Sequence, residues 1–238
     1  MIIAVVIAGG IGCRMGADIP KQFILVDGKP VLFYTLEAFE RHPMVDAIEL
    51  VLLEGWEKDV ERWKGLYCIT KLKWVVKGGI TGQESIRNGV WGLEGKCSDE
   101  DIVIIHDGIR PLVEPVVLDD VIAKAMEFGS GVTSMPYNEQ IFLVDERDST
   151  ITRKYIPRDT LRRVATPQAY RFGLIDRAYH EAFEKQIGIY GSSYANTMMT
   201  DLGHELHFAA GSDKNLKLTT PGDLEIFKAY LASQSGSK

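Results

Sequence analysis

The chain has 238 residues, enough to bury one large hydrophobic core, and this favours a single α/β domain over several small ones. Its formal net charge of −6 argues against a nucleic-acid-binding protein, so an anionic ligand must be drawn in by a local cationic pocket. The three cysteines, Cys13, Cys68 and Cys97, form no C-x-x-C pair. This pattern favours a reduced, cytoplasmic protein without a zinc site or a disulfide framework.

Apolar runs and amphipathic stretches alternate along the first half of the chain. Predicted strands occupy residues 2–7, 47–53, 72–76, 102–105 and 131–135. Predicted helices occupy residues 31–41, 57–64, 83–92 and 116–128. The alternation predicts a Rossmann-like, three-layer α/β/α fold with a mostly parallel sheet, and its first strand is far too short to span a membrane. Because ligands of such folds bind at the carboxyl ends of the strands, the loops after residues 7, 76 and 105 are the candidate binding loops.

The loop after the first strand reads A-G-G-I-G-C-R-M-G at residues 8–16 and is followed by P-K-Q-F at residues 20–23. A glycine-rich loop after a strand can bring backbone N–H groups against phosphate. Arg14 and Lys21 add fixed positive charge beside those groups. A triphosphate requires both, so the loop predicts a nucleotide site.

Four interpretations of this loop compete. A dinucleotide fingerprint would need a third glycine where Met15 stands, and a Walker loop would need a hydroxyl residue that G-K-P at residues 28–30 lacks. The nucleotidyltransferase signature G-G-x-G-x-R-M followed by P-K-Q matches without a gap. A plain strand-to-helix turn with a solvated Arg14 and Lys21 is the structural alternative.

The loop after the third predicted strand, residues 77–85, reads K-G-G-I-T-G-Q-E-S. Gly78 and Gly79 would let the backbone approach a flat ligand closely. Ser85 falls in the first turn of the next helix, where its hydroxyl could donate to a base. The alternative is a flexible loop in which Gln83 or Ser85 starts the helix.

The loop after the fourth predicted strand, residues 106–111, reads H-D-G-I-R-P. Asp107, at the carboxyl end of a strand, is suited to hold Mg²⁺ or ribose hydroxyls, and Gly108 clears room beside it. Arg110 could pair with Asp107 or bind phosphate, so a loop-bracing ion pair is the alternative. His106 is interpreted as a packing residue.

Past residue 136 the alternation breaks. Residues 141–146 and 150–156 predict two strands of a protruding arm that spans 137–168, and a hairpin without its own core needs a partner to cover it. Further predictions are a helix at 172–185, a strand at 205–209, and a loop-and-helix segment at 188–203. The chain is thus expected to be one domain over 1–232, with a disordered polar tail at 233–238.

The last informative segment, residues 215–224, reads N-L-K-L-T-T-P-G-D-L. Pro221 and Asp223 suit the first turn of a helix. Lys217 has no such local explanation, because a lysine inside a short apolar strand is costly unless it reaches an anion. This lysine is therefore a candidate phosphate ligand.

Together with T-P-Q at residues 166–168, these motifs resemble the cytidylyltransferases of the methylerythritol-phosphate and ribitol-phosphate type over residues 2–231. The resemblance implies a nucleotidyltransferase that joins CTP to a polyol phosphate, giving a CDP-polyol and pyrophosphate, with Mg²⁺ as cofactor. Since the polyol phosphate is itself the nucleophile, no catalytic triad is needed, and the sequence has no G-x-S-x-G.

The resemblance also implies a set of site residues. Catalytic cations would be Arg14, Lys21 and Lys217. Nucleotide contacts would come from Ala8, Gly9, Gly10, Gly12, Gly78, Gly79, Ser85, Asp107 and Gly108. The polyol phosphate would be bound by Arg110, Arg158, Thr166 and Gln140, and Asp107 would also hold the metal. The arm would swap across a homodimer and deliver Arg158 to the neighbouring pocket.

Two segments depart from the family pattern. Residues 138–140 replace an Asp-Thr pair on the arm, and residues 192–196 replace a Thr-Asp pair. The nucleotide half is intact and the polyol half is altered. The opening A-G-G and the K-Q-F…G-K-P run favour the ribitol-phosphate branch; the methylerythritol-phosphate branch is the alternative. A non-catalytic nucleotide-binding module and an NAD(P)-linked dehydrogenase are weaker alternatives.

Overall fold

The computed structural model describes residues 1–10, 19–191 and 194–235. The strands are β1 (Ile2–Ala8), β2 (Leu25–Val26), β3 (Lys29–Pro30), β4 (Ala47–Leu52), β5 (Leu72–Lys77), β6 (Ile102–Asp107), β7 (Ser130–Pro136), β8 (Ile141–Val144), β9 (Thr152–Ile156), β10 (Arg162–Arg171) and β11 (Phe208–Ala210). The α-helices are α1 (Val31–Arg41), α2 (Glu57–Leu66), α3 (Gly82–Trp91), α4 (Pro115–Phe128), α5 (Phe172–Lys185), α6 (Ala195–Asp201) and α7 (Pro221–Ser235).

The central sheet has the strand order β11-β7-β10-β6-β1-β4-β5 in the described parts of the chain. Strand β1 pairs in parallel with β4 and β6, and β4 pairs in parallel with β5. Strand β10 runs antiparallel to both β6 and β7, whereas β11 is parallel to β7. The predicted α/β fold with a mostly parallel sheet is confirmed.

Strand β1 is apolar throughout because both faces of the sheet are covered. Ala4 and Val6 pack into a core with helices α1 and α4. Ile3 and Val5 pack on the opposite face with helices α3, α5 and α6. A strand buried on both sides reads as a continuous hydrophobic run rather than an alternating one, and the three layers follow from this.

The predicted strands and helices of the first half occur within about two residues of their expected bounds, as does helix α5. Strand β10 was not predicted. Its sequence contains Pro167, which cannot donate a ladder hydrogen bond. The pairing with β7 is interrupted between Val164 and Gln168, and this irregularity accommodates the proline.

The arm is a two-stranded hairpin of β8 and β9, separate from the central sheet. Phe142, Val144 and Tyr155 are more than half exposed on it. The predicted arm extended to residue 168, but the chain returns to the central sheet at Arg162, so that β10 is its base. The protruding part is therefore shorter than the sequence indicates.

Helix α7 packs beside helix α1. The Asp223 carboxylate accepts hydrogen bonds from the N–H groups of Thr219 and Thr220, which fixes the start of the helix. Phe227 is fully buried, with its ring 5.1 Å from that of Tyr34. The helix continues to Ser235, beyond the predicted start of the disordered tail at 233, and residues 236–238 lie outside the described ranges.

Across the described ranges, none of the helices combines the length and the apolar character that crossing a membrane requires.

Candidate active site

A cavity of about 790 Å³ opens at the carboxyl ends of β1 and β6, beside the first turn of α3. Its wall includes the predicted site residues Ala8, Gly9, Gly10, Lys21, Gly79, Ser85, Asp107, Thr166 and Lys217. Predicted site residues that the structure describes outside this wall are Gly78, Gly108, Arg110, Gln140 and Arg158. Gly12 and Arg14 lie outside the described residues. The cavity therefore brings together motifs that are as far apart in the chain as Ala8 and Lys217.

The two glycine loops touch each other at one edge of the cavity. A β-carbon built on Gly9 would lie 2.9 Å from Gly78 Cα, and one built on Gly79 would lie 2.2 Å from Glu84 Cβ. The Gly78 N–H donates to the Leu52 carbonyl at 2.8 Å, which extends the β4–β5 pairing into the loop. These glycines are required by close backbone packing in the protein itself, besides any approach to a ligand.

The loop after β5 is fastened to helix α3. Thr81 and Glu84 form a reciprocal capping box at the helix start. The Ser85 hydroxyl accepts from the Gly79 N–H at 3.0 Å and donates to the Thr81 carbonyl at 3.0 Å. Ser85 lines the cavity, but in this state its hydroxyl proton is already engaged within the protein.

Gln22 joins the first glycine loop to the turn that carries Lys21. It is 2% exposed, and its Nε2 donates to the carbonyls of Ala8 and Gly10 at 2.9 and 2.8 Å. The next residue, Phe23, stacks on Trp56 with ring centroids 3.9 Å apart. Sequence reasoning gave Gln22 no role; the only signal was its place in the P-K-Q motif.

Asp107 lies between two cations. Its Oδ2 is 2.9 Å from Arg110 Nε and 3.1 Å from Lys217 Nζ, whereas Oδ1 accepts no hydrogen bond from the described residues. Burial alone would raise the pKa of this carboxyl, but the charges of Lys217 and Arg110 outweigh it and hold the pKa at about 2. Asp107 is therefore ionised throughout the neutral pH range.

Arg110 serves as a brace in this structure. Its Nη1 donates to the Asn215 carbonyl at 2.8 Å, and its Nε is taken up by Asp107. The side chain of Asn215 donates in turn to the Thr166 carbonyl at 2.7 Å. The Thr166 hydroxyl accepts from the Asp107 N–H at 3.1 Å, which closes the network. The network fixes the segment of Lys217 against β6 and β10.

His106 carries no charge near neutral pH. It is fully buried, and burial lowers its pKa to about 4. Its Nε2 lies 3.0 Å from the Arg110 carbonyl, and its ring packs edge-on against Phe39. These contacts agree with its interpretation as a packing residue.

Arg158 and Gln140 lie on the arm, both exposed. Arg158 belongs to a short 3-10 helix, Arg158–Thr160, and donates to the Asn138 carbonyl at 3.4 Å. Neither residue reaches the cavity of its own chain.

A mostly parallel sheet whose carboxyl edge carries glycine loops, two lysines and an ionised aspartate defines a nucleotide-binding protein of the nucleotidyltransferase kind. The sequence matches the IspD family, described as 2-C-methyl-D-erythritol 4-phosphate cytidylyltransferase, over residues 2–233. The chain belongs to this family. The family resemblance and the enzyme class predicted from the motifs are thereby confirmed.

Individual relatives refine this assignment. The chain is 56% identical to a ribitol-5-phosphate cytidylyltransferase of Lacticaseibacillus paracasei, over 97% of this chain and 98% of that protein. It is 35% identical to a 2-C-methyl-D-erythritol 4-phosphate cytidylyltransferase of Geobacter metallireducens, over 97% of each chain. The crystal structure of 4-diphosphocytidyl-2C-methyl-D-erythritol synthase from Anaerococcus prevotii superimposes with a TM-score of 0.81 at 22% identity, covering 97% of this chain and 98% of that one. The last comparison supports the fold, and the first agrees with the branch favoured from the sequence.

Proposed function

We propose that the protein transfers CMP from CTP to D-ribitol 5-phosphate and releases pyrophosphate. The observation that carries this proposal is the convergence of Lys21, Asp107 and Lys217 on one cavity edged by two glycine loops. The choice of polyol is supported by the 56% identity to a ribitol-5-phosphate cytidylyltransferase over nearly the whole chain. The methylerythritol-phosphate alternative is supported by a relative at 35% identity.

In this reaction a phosphate oxygen of ribitol 5-phosphate attacks the α-phosphorus of CTP. A new P–O bond forms, the bond from the α-phosphorus to the bridging oxygen breaks, and pyrophosphate leaves with that electron pair. The nucleophile is already anionic, so the protein must chiefly hold two polyanions together and stabilise charge on the transferring group. Lys21 and Lys217 supply charge to the cavity, and Arg14 belongs to the same glycine loop in the sequence.

Mg²⁺ fits the residues present. One ionised carboxylate whose Oδ1 accepts no hydrogen bond from the described residues, that of Asp107, is a donor of the kind Mg²⁺ prefers, the remaining ligands being phosphate oxygens and water. Bound there, the ion would neutralise phosphate charge. Lys217 would hold the other carboxylate oxygen in place from its position 3.1 Å away.

The arm supports a homodimeric enzyme. Its hairpin exposes Phe142, Val144 and Tyr155, and such a hairpin is stable only when covered. Arg158, in the 3-10 helix between β9 and β10, is exposed, and its guanidinium fork suits a phosphate in a second subunit. We propose that the arm of one subunit covers the partner and supplies Arg158 to its polyol-phosphate site, in a cytoplasmic enzyme.

The reaction is tested by measuring pyrophosphate release from CTP and Mg²⁺ with ribitol 5-phosphate, methylerythritol 4-phosphate, ribulose 5-phosphate or glycerol 3-phosphate. Turnover with ribitol 5-phosphate is expected, with a loss of about 10²-fold or more in Lys217→Ala. Lys214→Ala is the matched control, since Lys214 lies in the same segment but is exposed and paired with Glu114. Preference for methylerythritol 4-phosphate would select the alternative, and CTP binding without turnover would favour a non-catalytic module.

The dimer is tested by complementation. Arg158→Ala and Lys217→Ala are each expected to be inactive alone. If Arg158 serves the partner's site, co-expressed mixed dimers contain one intact site and regain partial activity. A monomer in sedimentation equilibrium, or no gain on mixing, would refute this arrangement.

A further inference from the structure

One aromatic side chain stands at the cavity wall beside the phosphate-binding lysine. Tyr194 lines the cavity and is 39% exposed, and its ring centroid lies 5.2 Å from Lys217 Nζ. Its hydroxyl forms no hydrogen bond with any residue of the described ranges. A tyrosine in such a place offers one donor and one acceptor to whatever enters the cavity.

The backbone of Tyr194 is held by a buried amide. Gln83 is 1% exposed, and its Nε2 donates to the carbonyls of Tyr194 and Gly188, both at 3.0 Å. The fully buried Tyr179 hydroxyl donates to Gln83 Oε1 at 3.0 Å. Both N–H groups of the Gln83 amide donate hydrogen bonds, and its oxygen accepts one. These three bonds, which we call the Gln83 clamp, make the amide a fixed part of the core.

The clamp also links the two halves of the cavity. Gln83 lies in the first turn of α3, two residues after the Thr81 cap and two residues before Ser85. Tyr194 immediately precedes helix α6 as its N-cap residue. The segment that carries the tyrosine is thereby fixed relative to the nucleotide loop, and a residue held in this way can discriminate between ligands.

The charged residues of the cavity suit phosphate and metal, so the uncharged hydroxyls of a polyol need a neutral hydrogen-bonding group. Lys21, Lys217 and Asp107 account for phosphate and metal, whereas a polyol chain presents uncharged hydroxyls next to its phosphate. Because the Tyr194 ring lies over the Lys217 ammonium, its hydroxyl is close to the place where phosphate would be drawn. A neutral donor and acceptor there matches a sugar alcohol and adds no charge.

We propose that Tyr194 is a specificity-determining residue whose hydroxyl hydrogen-bonds a hydroxyl group of the polyol phosphate. This inference rests on the proposed function and names the side chain that reads the second substrate. The ring keeps Lys217 in position, and the hydroxyl distinguishes one polyol from another.

The test compares steady-state kinetics of Tyr194→Phe and wild type with ribitol 5-phosphate and CTP. The variant keeps the ring over Lys217 and loses only the hydroxyl. We expect KM for ribitol 5-phosphate to rise about three- to tenfold, with KM for CTP and kcat unchanged. Tyr190→Phe is the control, because Tyr190 lies four residues earlier in the chain and is not part of the cavity wall.

Monodeoxy analogues of ribitol 5-phosphate locate the partner hydroxyl. Wild type should lose affinity for one analogue, and Tyr194→Phe should show no further loss with that same analogue. An unchanged KM in Tyr194→Phe, or equal rises for both substrates, would overturn the assignment of Tyr194 alone. Wild-type enzyme without turnover of any polyol phosphate would overturn the proposed function together with it.

Discussion

The backbones of Gly9 and Gly78 are in direct contact. A β-carbon on Gly78 would lie 2.8 Å from Gly9 Cα, and one on Gly9 would lie 3.2 Å from Ser85 Oγ as well as close to Gly78. The end of strand β1 is thus pressed against the loop after β5. Both sides of the contact are formed by backbone, so neither can yield by moving a flexible side chain.

Gly9→Ala should therefore separate the two loops. We expect an overpacking cost of about 1–3 kcal/mol in the free energy of unfolding and weaker CTP binding. Urea denaturation and isothermal titration calorimetry measure the two effects. Gly10→Ala is the folding control, because a β-carbon at Gly10 would meet no atom of the described residues within 4 Å. Equal stability of Gly9→Ala and Gly10→Ala would contradict the prediction.

Removing the charge of Asp107 should disable the site. In Asp107→Asn the cations Lys217 and Arg110 lose their shared partner and any metal loses its carboxylate. We expect pyrophosphate release to fall about 10²-fold. Asp213→Asn, an exposed aspartate outside the cavity wall, should be active.

The acidity of Asp107 has a separate consequence for pH dependence. Its pKa of about 2 lies below the ordinary 3.8, so its stabilising ion pairs are complete above pH 3.8 and are lost as pH falls through 2. The pH profile of kcat/KM for wild type should therefore contain no ionisation of Asp107 between pH 5 and 8. An acidic limb in that window that is absent from the residual activity of Asp107→Asn would show the assignment to be wrong.

The gathering of the glycine loops and Asp107 at one edge of the sheet was predictable because its signals are local. Strand β1 is an unbroken apolar run that is followed directly by Gly9 and Gly10. Asp107 comes shortly after a second apolar run, residues 102–105. Short patterns of this kind report the carboxyl edge of a parallel sheet without knowledge of distant contacts.

The supporting residues were not predictable, because their roles depend on distant partners. Gln83 binds the carbonyl of Tyr194, which is 111 positions away, and Arg110 binds that of Asn215, which is 105 positions away. A single buried amide side chain produces no periodic pattern in the sequence from which its burial could be predicted. Strand β10 was missed for a related reason: tertiary pairing on both sides overrides the local effect of Pro167.

Gln22 offers a direct test of such a supporting role. Gln22→Glu keeps the shape of the side chain but replaces the amide donor of two carbonyl hydrogen bonds with an acceptor. At pH 8 we expect the free energy of unfolding to fall by about 2 kcal/mol or more, with a higher KM for CTP. Gln234→Glu, an exposed change near the end of α7, is the control and should behave as wild type. A stable, fully active Gln22→Glu would remove Gln22 from the positioning network.

Glu49 should make the stability of the whole fold depend on pH. This residue of β4 is 0% exposed, neither carboxylate oxygen has a hydrogen-bond partner among the described residues, and Lys96 Nζ is 3.8 Å from Glu49 Oε2. Burial raises the pKa of Glu49 from 4.5 to about 7, although the charge of Lys96 acts in the opposite direction. The native state therefore retains a proton that the unfolded chain has lost.

Because the folded pKa is the higher one, the favourable contribution is complete below pH 4.5 and is lost as pH rises through 7. Glu49→Gln removes this ionisation while keeping the size of the side chain. Relative to wild type, it should gain about 2.5 kcal/mol in free energy of unfolding between pH 5 and pH 8. Urea denaturation at the two pH values measures the gain, with exposed Glu225→Gln as the control. A constant difference between Glu49→Gln and wild type across this range would mean that Glu49 is ionised in the folded protein, with Lys96 as a full counterion.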